Sequence, residues 1–243
     1  MAEISTSDVA EVLVALRIKL VKIVLILVAV WAISFVFLSD FVITKIIKDL
    51  LPEGAKVVYT SPLEGLILKL KISLDFGFLS VLPYVSYLVY KALKNRTELL
   101  KNVNISKSVA FKYGISAVIL FILGLTYGYC LMLPLFMRFL YQIAVTQGAT
   151  PLYSISDFIG FVVLMLIIFG LIFQMPLIMI LLVRYGIVKF DTLKYYRRHF
   201  YVLFFIIGAA ITPPDVFTQL MVAIPMLLFY EISLVVTKIV VRV

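Results

Sequence analysis

Few groups in this chain could carry chemistry. His199 is the only histidine and Cys130 the only cysteine. They lie in separate regions, so neither a nucleophile–base pair nor a histidine or thiolate metal cluster can be assembled from them, and no metal or cofactor is expected. What remains is a set of polar residues embedded in apolar sequence, where each is costly and marks either function or a helix contact. Lys71 and Asp75 stand four apart and are expected to neutralise each other on one helix face. Gln174 precedes Pro176 by two residues. A neutral amide there serves equally as an interhelical packing contact, while the proline deletes one helical hydrogen bond and kinks the chain. Thr212-Pro213-Pro214-Asp215 forms a turn in which Asp215 is expected to cap the next helix. Gln219 follows it. Glu231, near the end of the last apolar run, is within reach of Arg197-Arg198, itself most simply part of a basic loop.

The elements that position these residues must be membrane helices. Of the 243 residues 64% are apolar and 14% charged, with a mean hydropathy of +1.16. Soluble domains carry roughly a quarter charged residues, so lipid is the solvent for much of this chain. The net charge of +9 therefore concerns membrane orientation rather than nucleic acid. Backbone amides in hydrocarbon are satisfied within a helix. The apolar runs predict spans over about residues 20–38, 66–90, 109–133, 158–183, 200–212 and 217–236, with Ser39-Asp40 ending the first and Pro134 following the third. The first run is too long for a cleaved signal core and lacks a small-residue cleavage site, so it is expected to be retained.

Basic residues alternate between segments. Arg17, Lys19 and Lys22 open the first span. Lys91, Lys94, Arg96, Lys101, Lys107 and Lys112 lie between the second and third. Arg184, Lys189, Lys194, Arg197 and Arg198 lie between the fourth and fifth, and Lys238 and Arg242 close the chain. This bias predicts six spans with both termini cytoplasmic, although Lys45, Lys48 and Lys56 run against it. Residues 40–51 place Lys45, Lys48 and Asp49 on one helical face and Phe41, Ile46, Ile47 and Leu50 on apolar surface, which predicts a helix lying in the interface. The fifth span is short. Residues 200–212 rise roughly 20 Å against a hydrocarbon core of about 30 Å, so the final hairpin must dip shallowly, thin the bilayer or be shielded. The sixth is marginal once trimmed at Glu231.

The order of these fragments resembles the TatC family, the multi-spanning core of the twin-arginine protein translocase. The resemblance rests on Thr212-Pro213-Pro214-Asp215-Val216, then Gln219, Ala223-Ile224-Pro225 and Tyr230-Glu231. Also matching are Ser61-Pro62-Leu63-Glu64 with Lys71-Ile72-Ser73-Leu74, Gly124 with Tyr129 and Leu133-Pro134-Leu135, and Phe169-Gly170 with Phe173-Gln174-Met175-Pro176. The likeness implies one all-α transmembrane domain over residues 1–243: a cup-shaped bundle of six helices with short fifth and sixth helices, in the cytoplasmic membrane of a prokaryote. Pro62, Glu64, Pro213, Pro214 and Pro225 are then structural. Gln174, Pro176, Thr212, Asp215, Gln219 and Glu231 are intramembrane polar or partner contacts.

The same resemblance implies a receptor, not an enzyme. It binds twin-arginine signal peptides of folded cargo, assembles with TatA-type and TatB-type single-span proteins and with further copies of itself, and exports cargo on the proton-motive force. Departures fall at the signal-peptide site. The family's amino-terminal glutamate is Ala15 here, before Leu16-Arg17, and Glu11 stands one turn earlier on the same face. The first basic loop is rewritten, with Glu98 its only acidic residue. Two guanidinium groups require carboxylate partners, which makes Glu11, Leu16, Arg17 and Glu98 the candidate signal-peptide residues. A small-solute transporter is the competing class. It would need an internal repeat and a midplane cavity, and no inverted repeat is visible between the halves.

Overall fold

A computed structural model describes the backbone of residues 6–96, 107–212 and 216–241, and side chains over 20–81, 112–212 and 216–241. The elements in chain order are helices α1 (Thr6–Ile33) and α2 (Ser39–Leu50), strand β1 (Lys56–Val58), helices α3 (Glu64–Arg96), α4 (Lys107–Tyr127) and α5 (Leu133–Thr146), strand β2 (Leu152–Ser154), and helices α6 (Ile155–Ile172), α7 (Met175–Arg184), α8 (Phe190–Tyr195), α9 (Arg197–Ile211) and α10 (Val216–Val241). Among the described residues four helical runs are long and apolar enough to cross a membrane: Leu20–Leu50, Lys112–Thr146, Ile155–Arg184 and Val216–Val241.

The chain divides into two compact units. In the unit containing α1 and α3, these helices pack side by side. Gly77 lets them close: a Cβ there would stand 3.2 Å from the carbonyl oxygen of Leu27, against α1 backbone. Trp31 Nε1 donates to the carbonyl of Leu70 at 3.4 Å. Glu64 is the last residue of a Ser-x-x-Glu capping sequence that opens at Ser61. Its carboxylate accepts from Thr60 Oγ1 at 2.8 Å and from the backbone N–H of Ser61 at 3.3 Å and of Thr60. A carboxylate 6% exposed is thereby satisfied by donors at the helix entrance.

In the second unit α4 packs on α6, and α10 packs on α7 and α9. Strands β1 and β2 pair in parallel, Val57 opposite Tyr153. The core is built of Phe136, Ile159, Val162, Phe169, Phe204, Val222, Met226 and Tyr230, each at most 2% exposed, while one side of most helices presents Leu, Ile and Val outward, as lipid requires.

Several sequence expectations need correction here. Ser39-Asp40 does not end the first helix, nor does Pro134 end the third. At both places the chain passes through a single π-helical turn, Ser34–Leu38 and Gly128–Met132, with helical dihedrals on either side. Such a turn shifts the bonding register by one residue. The N–H of Ser39 reaches Ser34 O and that of Leu133 reaches Gly128 O. The helix thus continues through Pro134, in the first turn of α5, where the adjoining π turn accommodates the missing N–H. Ser39 is buried and donates its hydroxyl to Phe35 O at 2.9 Å, and Asp40 is paired by Lys69 of α3 at 2.7 Å. Residues 39–50 form the expected amphipathic helix, α2, joined to α1 through the π turn. Lys71 and Asp75, four apart on α3, interact through their charges as expected, without a direct ion pair among the described residues, while Lys69 pairs directly with Asp40.

The carboxyl end is corrected in one respect. The fifth helix is short, as expected: α9 has 15 residues, roughly 22 Å. The sixth is not. α10 has 26 residues and carries Pro225 internally. It runs on past Glu231, a residue that favours helix, and Lys238 in the last turn suits the helix dipole.

Candidate functional site

The polar residues buried in these helices resolve into separate contacts. Gln174 caps the break between α6 and α7, with Pro176 in the first turn of α7, so the expected kink lies where the proline removes a donor. Gln174 Nε2 donates to the carbonyl of Ala117 on α4 at 3.1 Å, a bond between helices in apolar surroundings. Interhelical hydrogen bonds of this kind contribute about 0.6 kcal/mol on average in membranes. Gln174→Leu is accordingly expected to lower thermal stability slightly, by no more than about 1.7 kcal/mol. Differential scanning fluorimetry of the purified chain checks this; a larger loss would give the amide a role beyond packing.

The hairpin of α9 and α10 is closed by two devices. Gly208 brings α9 against α10: a Cβ there would lie 3.2 Å from the carbonyl oxygen of Gln219. The Gln219 side chain reaches back, Nε2 donating to Phe205 O at 2.8 Å. Thr212 ends α9 in extended backbone, 6% exposed, its hydroxyl donating to Gly208 O at 2.9 Å. Pro213, Pro214 and Asp215 lie outside the described residues.

At the other end of the same hairpin, Glu231 meets two groups from α9, and its neighbour Tyr230 meets α8. Arg197 Nη2 donates to the Glu231 carboxylate at 2.7 Å, and the Tyr201 hydroxyl donates to its other oxygen. Tyr230, fully buried, donates to Leu193 O at 2.9 Å and stacks on Phe200 at 4.8 Å. Of the two arginines considered beside Glu231, Arg197 makes the bond, while Arg198 lies 5.6 Å above the Tyr195 ring. Tyr201 was not anticipated. It lies four residues after Arg197 on one helix face, and that spacing was the available signal.

Around Gln174, Tyr127 packs against Phe169, Phe173 and Phe229 with centroids 5.4–5.5 Å away, an aromatic cluster no single motif announces. Pro225 is buried in α10 and Glu64 at the entrance of α3. Pro62 precedes α3 and is exposed. Glu11, Leu16 and Arg17 fall on the α1 backbone, outside the described side chains, and Glu98 lies outside the described residues altogether.

Long apolar helices, a kinked span and a short hinged hairpin, held together by sparse interhelical hydrogen bonds, define a polytopic helical membrane protein. Residues 11–225 match the family model for Sec-independent protein translocase protein (TatC). The TatC protein of Aquifex aeolicus is 34% identical over 188 residues, covering 77% of this chain and 76% of its own length. That of Haemophilus influenzae is 29% identical over 228 residues, covering 93% and 87%. A solved structure of the twin-arginine translocase receptor TatC in the detergent DDM superposes with a TM-score of 0.79 at 31% identity, covering 93% of this chain and 99% of that one. The chain belongs to the TatC family. It is a membrane component of the Sec-independent protein translocase and serves protein transport.

Proposed function

We propose that this chain is the signal-peptide receptor and core of a twin-arginine translocase, with six spans and both termini in the cytoplasm of a prokaryote. The observation that carries this reading is the end-to-end likeness, at 31% identity, to a solved chain described as a twin-arginine translocase receptor. The four membrane-capable runs, the 33-residue helix α3 and the short α9 support a count of six, and the basic segments support the orientation. The protein acts without catalysing a reaction of its own. It binds Arg-Arg signal peptides of folded cargo, recruits TatA-type and TatB-type single-span subunits and further copies of itself, and moves cargo on the proton-motive force. The short α9 marks where the bilayer is thinnest.

The receptor site is assigned to Leu16, Arg17 and Glu11 on α1 with Glu98 of the first basic loop, because two guanidinium groups entering from the cytoplasm need carboxylates. Site-specific photocrosslinking from residues beside Glu98 tests this. Crosslinks are expected with an Arg-Arg signal peptide and lost with Lys-Lys. Glu11→Gln together with Glu98→Gln is expected to reduce the Arg-Arg crosslink about tenfold or more. Undiminished crosslinking in the double variant would discard the site, and equal crosslinking of Lys-Lys would discard the receptor role.

A further inference from the structure

A cavity of about 480 Å³ opens between the carboxyl end of α2 with its following turn and one face of α5. Pockets of this size hold small molecules or headgroups. Its polar wall is unusual for a membrane helix pair. Lys48 and Arg138 supply two cations, Glu53 and Asp49 two carboxylates, and Tyr141 a phenol. Neither cation forms an ion pair among the described residues. Asp49 accepts a hydrogen bond from Tyr129 at 2.7 Å. The floor is apolar and closed, Leu50 and Met137 being 5% and 3% exposed.

The wall is held in shape by backbone. Met137, Arg138 and Tyr141 share a helical face of α5. The Tyr141 hydroxyl lies 2.6 Å from where a Cβ on Gly54 would stand, and Gly54 has φ +94°. Only glycine meets both conditions without strain, so the turn after α2 is shaped to admit the phenol.

Depth distinguishes what fits. The helical run from Lys112 to Thr146 has 35 residues, roughly 52 Å long against a hydrocarbon core of about 30 Å. Counted from Lys112, the core is used up near Met132. Pro134 to Tyr141 then fall in the headgroup layer, where Arg and Tyr anchor helices.

We propose that this cavity binds the headgroup of an amine-bearing phospholipid, its phosphate held by Lys48 and Arg138 and its ammonium by Glu53. A cation pair alone would suit any phosphate; the adjoining carboxylate selects a zwitterion and disfavours a head carrying only negative charge. The placement at headgroup depth rests on the six-span reading, whereas binding to the purified chain is measured independently of transport.

Native mass spectrometry of the full chain, released from detergent with defined lipids, provides the test. Phosphatidylethanolamine is expected to be retained in preference to phosphatidylglycerol, and both in preference to diacylglycerol. Lys48→Gln with Arg138→Gln is expected to lower retention of both phospholipids at least about tenfold. Glu53→Gln is expected to remove only the preference for the amine. The exchanged pair Lys48→Arg with Arg138→Lys keeps both charges and is expected to keep binding, which separates charge from folding. Unchanged retention in the double glutamine variant, or equal retention of diacylglycerol, would overturn the site. Displacement of the lipid by millimolar inorganic phosphate or glycerophosphoethanolamine would overturn the lipid in favour of a soluble phosphate.

Discussion

Gly124→Ala is expected to be the most damaging small substitution in the second unit, lowering stability by about 1–3 kcal/mol, and Gly124→Val is expected to prevent stable accumulation. A Cβ at position 124 would stand 2.6 Å from the carbonyl oxygen of Phe169 and 2.9 Å from Gly170 Cα. Both are backbone atoms of α6, so no rotamer change relieves the overlap. The helices must separate, and with them the packing of Phe121 over Gly170 and of Tyr127 on Phe169. Small residues let membrane helices approach closely, and van der Waals contact is then the main attraction. Gly114→Ala on the same helix is the control, since nothing lies within 4 Å of its added Cβ, and it is expected to be neutral or slightly stabilising. Thermal denaturation in detergent, with both variants measured together, checks the pair. Equal effects would mean that the α4–α6 crossing is looser than described.

The second large effect is expected at Glu231. Its carboxylate serves Arg197 and Tyr201 together, and Arg197 Nε is buried with no hydrogen-bond partner among the described residues. Removing the carboxylate would leave the guanidinium without its acceptor while Nε stays buried and unpartnered. Bonds to charged groups contribute about 1.5–3 kcal/mol. The side chains of Arg197 and Glu231 remain 41% and 36% exposed, so the lower part of that range applies. Glu231→Ala is expected to cost more than Tyr201→Phe. The double variant Arg197→Ala with Glu231→Ala is expected to be more stable than the sum of the single losses implies, with a coupling of about 1 kcal/mol. Additive losses would show that each residue acts by packing alone. The contact ties the start of α9 to α10 at the end of the hairpin opposite Thr212, so its loss is also expected to loosen the hairpin. Faster amide exchange in α9 reports this.

The two hairpin ends differ in kind. Near Thr212 the helices are joined by backbone proximity and neutral amides, and near Glu231 by a part-exposed charge pair. On the six-span reading proposed above, that division follows depth. Neutral donors suit the region where charge is most costly, and a charge pair suits the boundary where water still screens it.

Much of this was legible in the sequence because it depends on local periodicity and on solvent. The apolar runs, the alternating basic segments, the Gln174–Pro176 break and the short α9 each follow from residues close together in the chain. The family likeness followed from the order of such fragments. The helix stops were misread at Ser39 and Pro134 because stop signals are calibrated on helices that can end in water. In lipid an interrupted ladder leaves amides unsatisfied, so a π turn that restores the bonds is favoured over a true break. The sixth helix was judged short by its charge, but a glutamate does not interrupt a helix, and α10 runs ten residues beyond Glu231.

Only the tertiary structure decided the pairings. Lys69 and not Lys71 makes the direct ion pair because α1 and α3 bring Asp40 alongside. Tyr129 meets Asp49 across 80 residues, and Gly124 meets the backbone at Gly170. Helical periodicity assigns a residue to a face. Which face of which helix it then meets is set by close packing between segments remote in sequence, and that information is not held in any single segment.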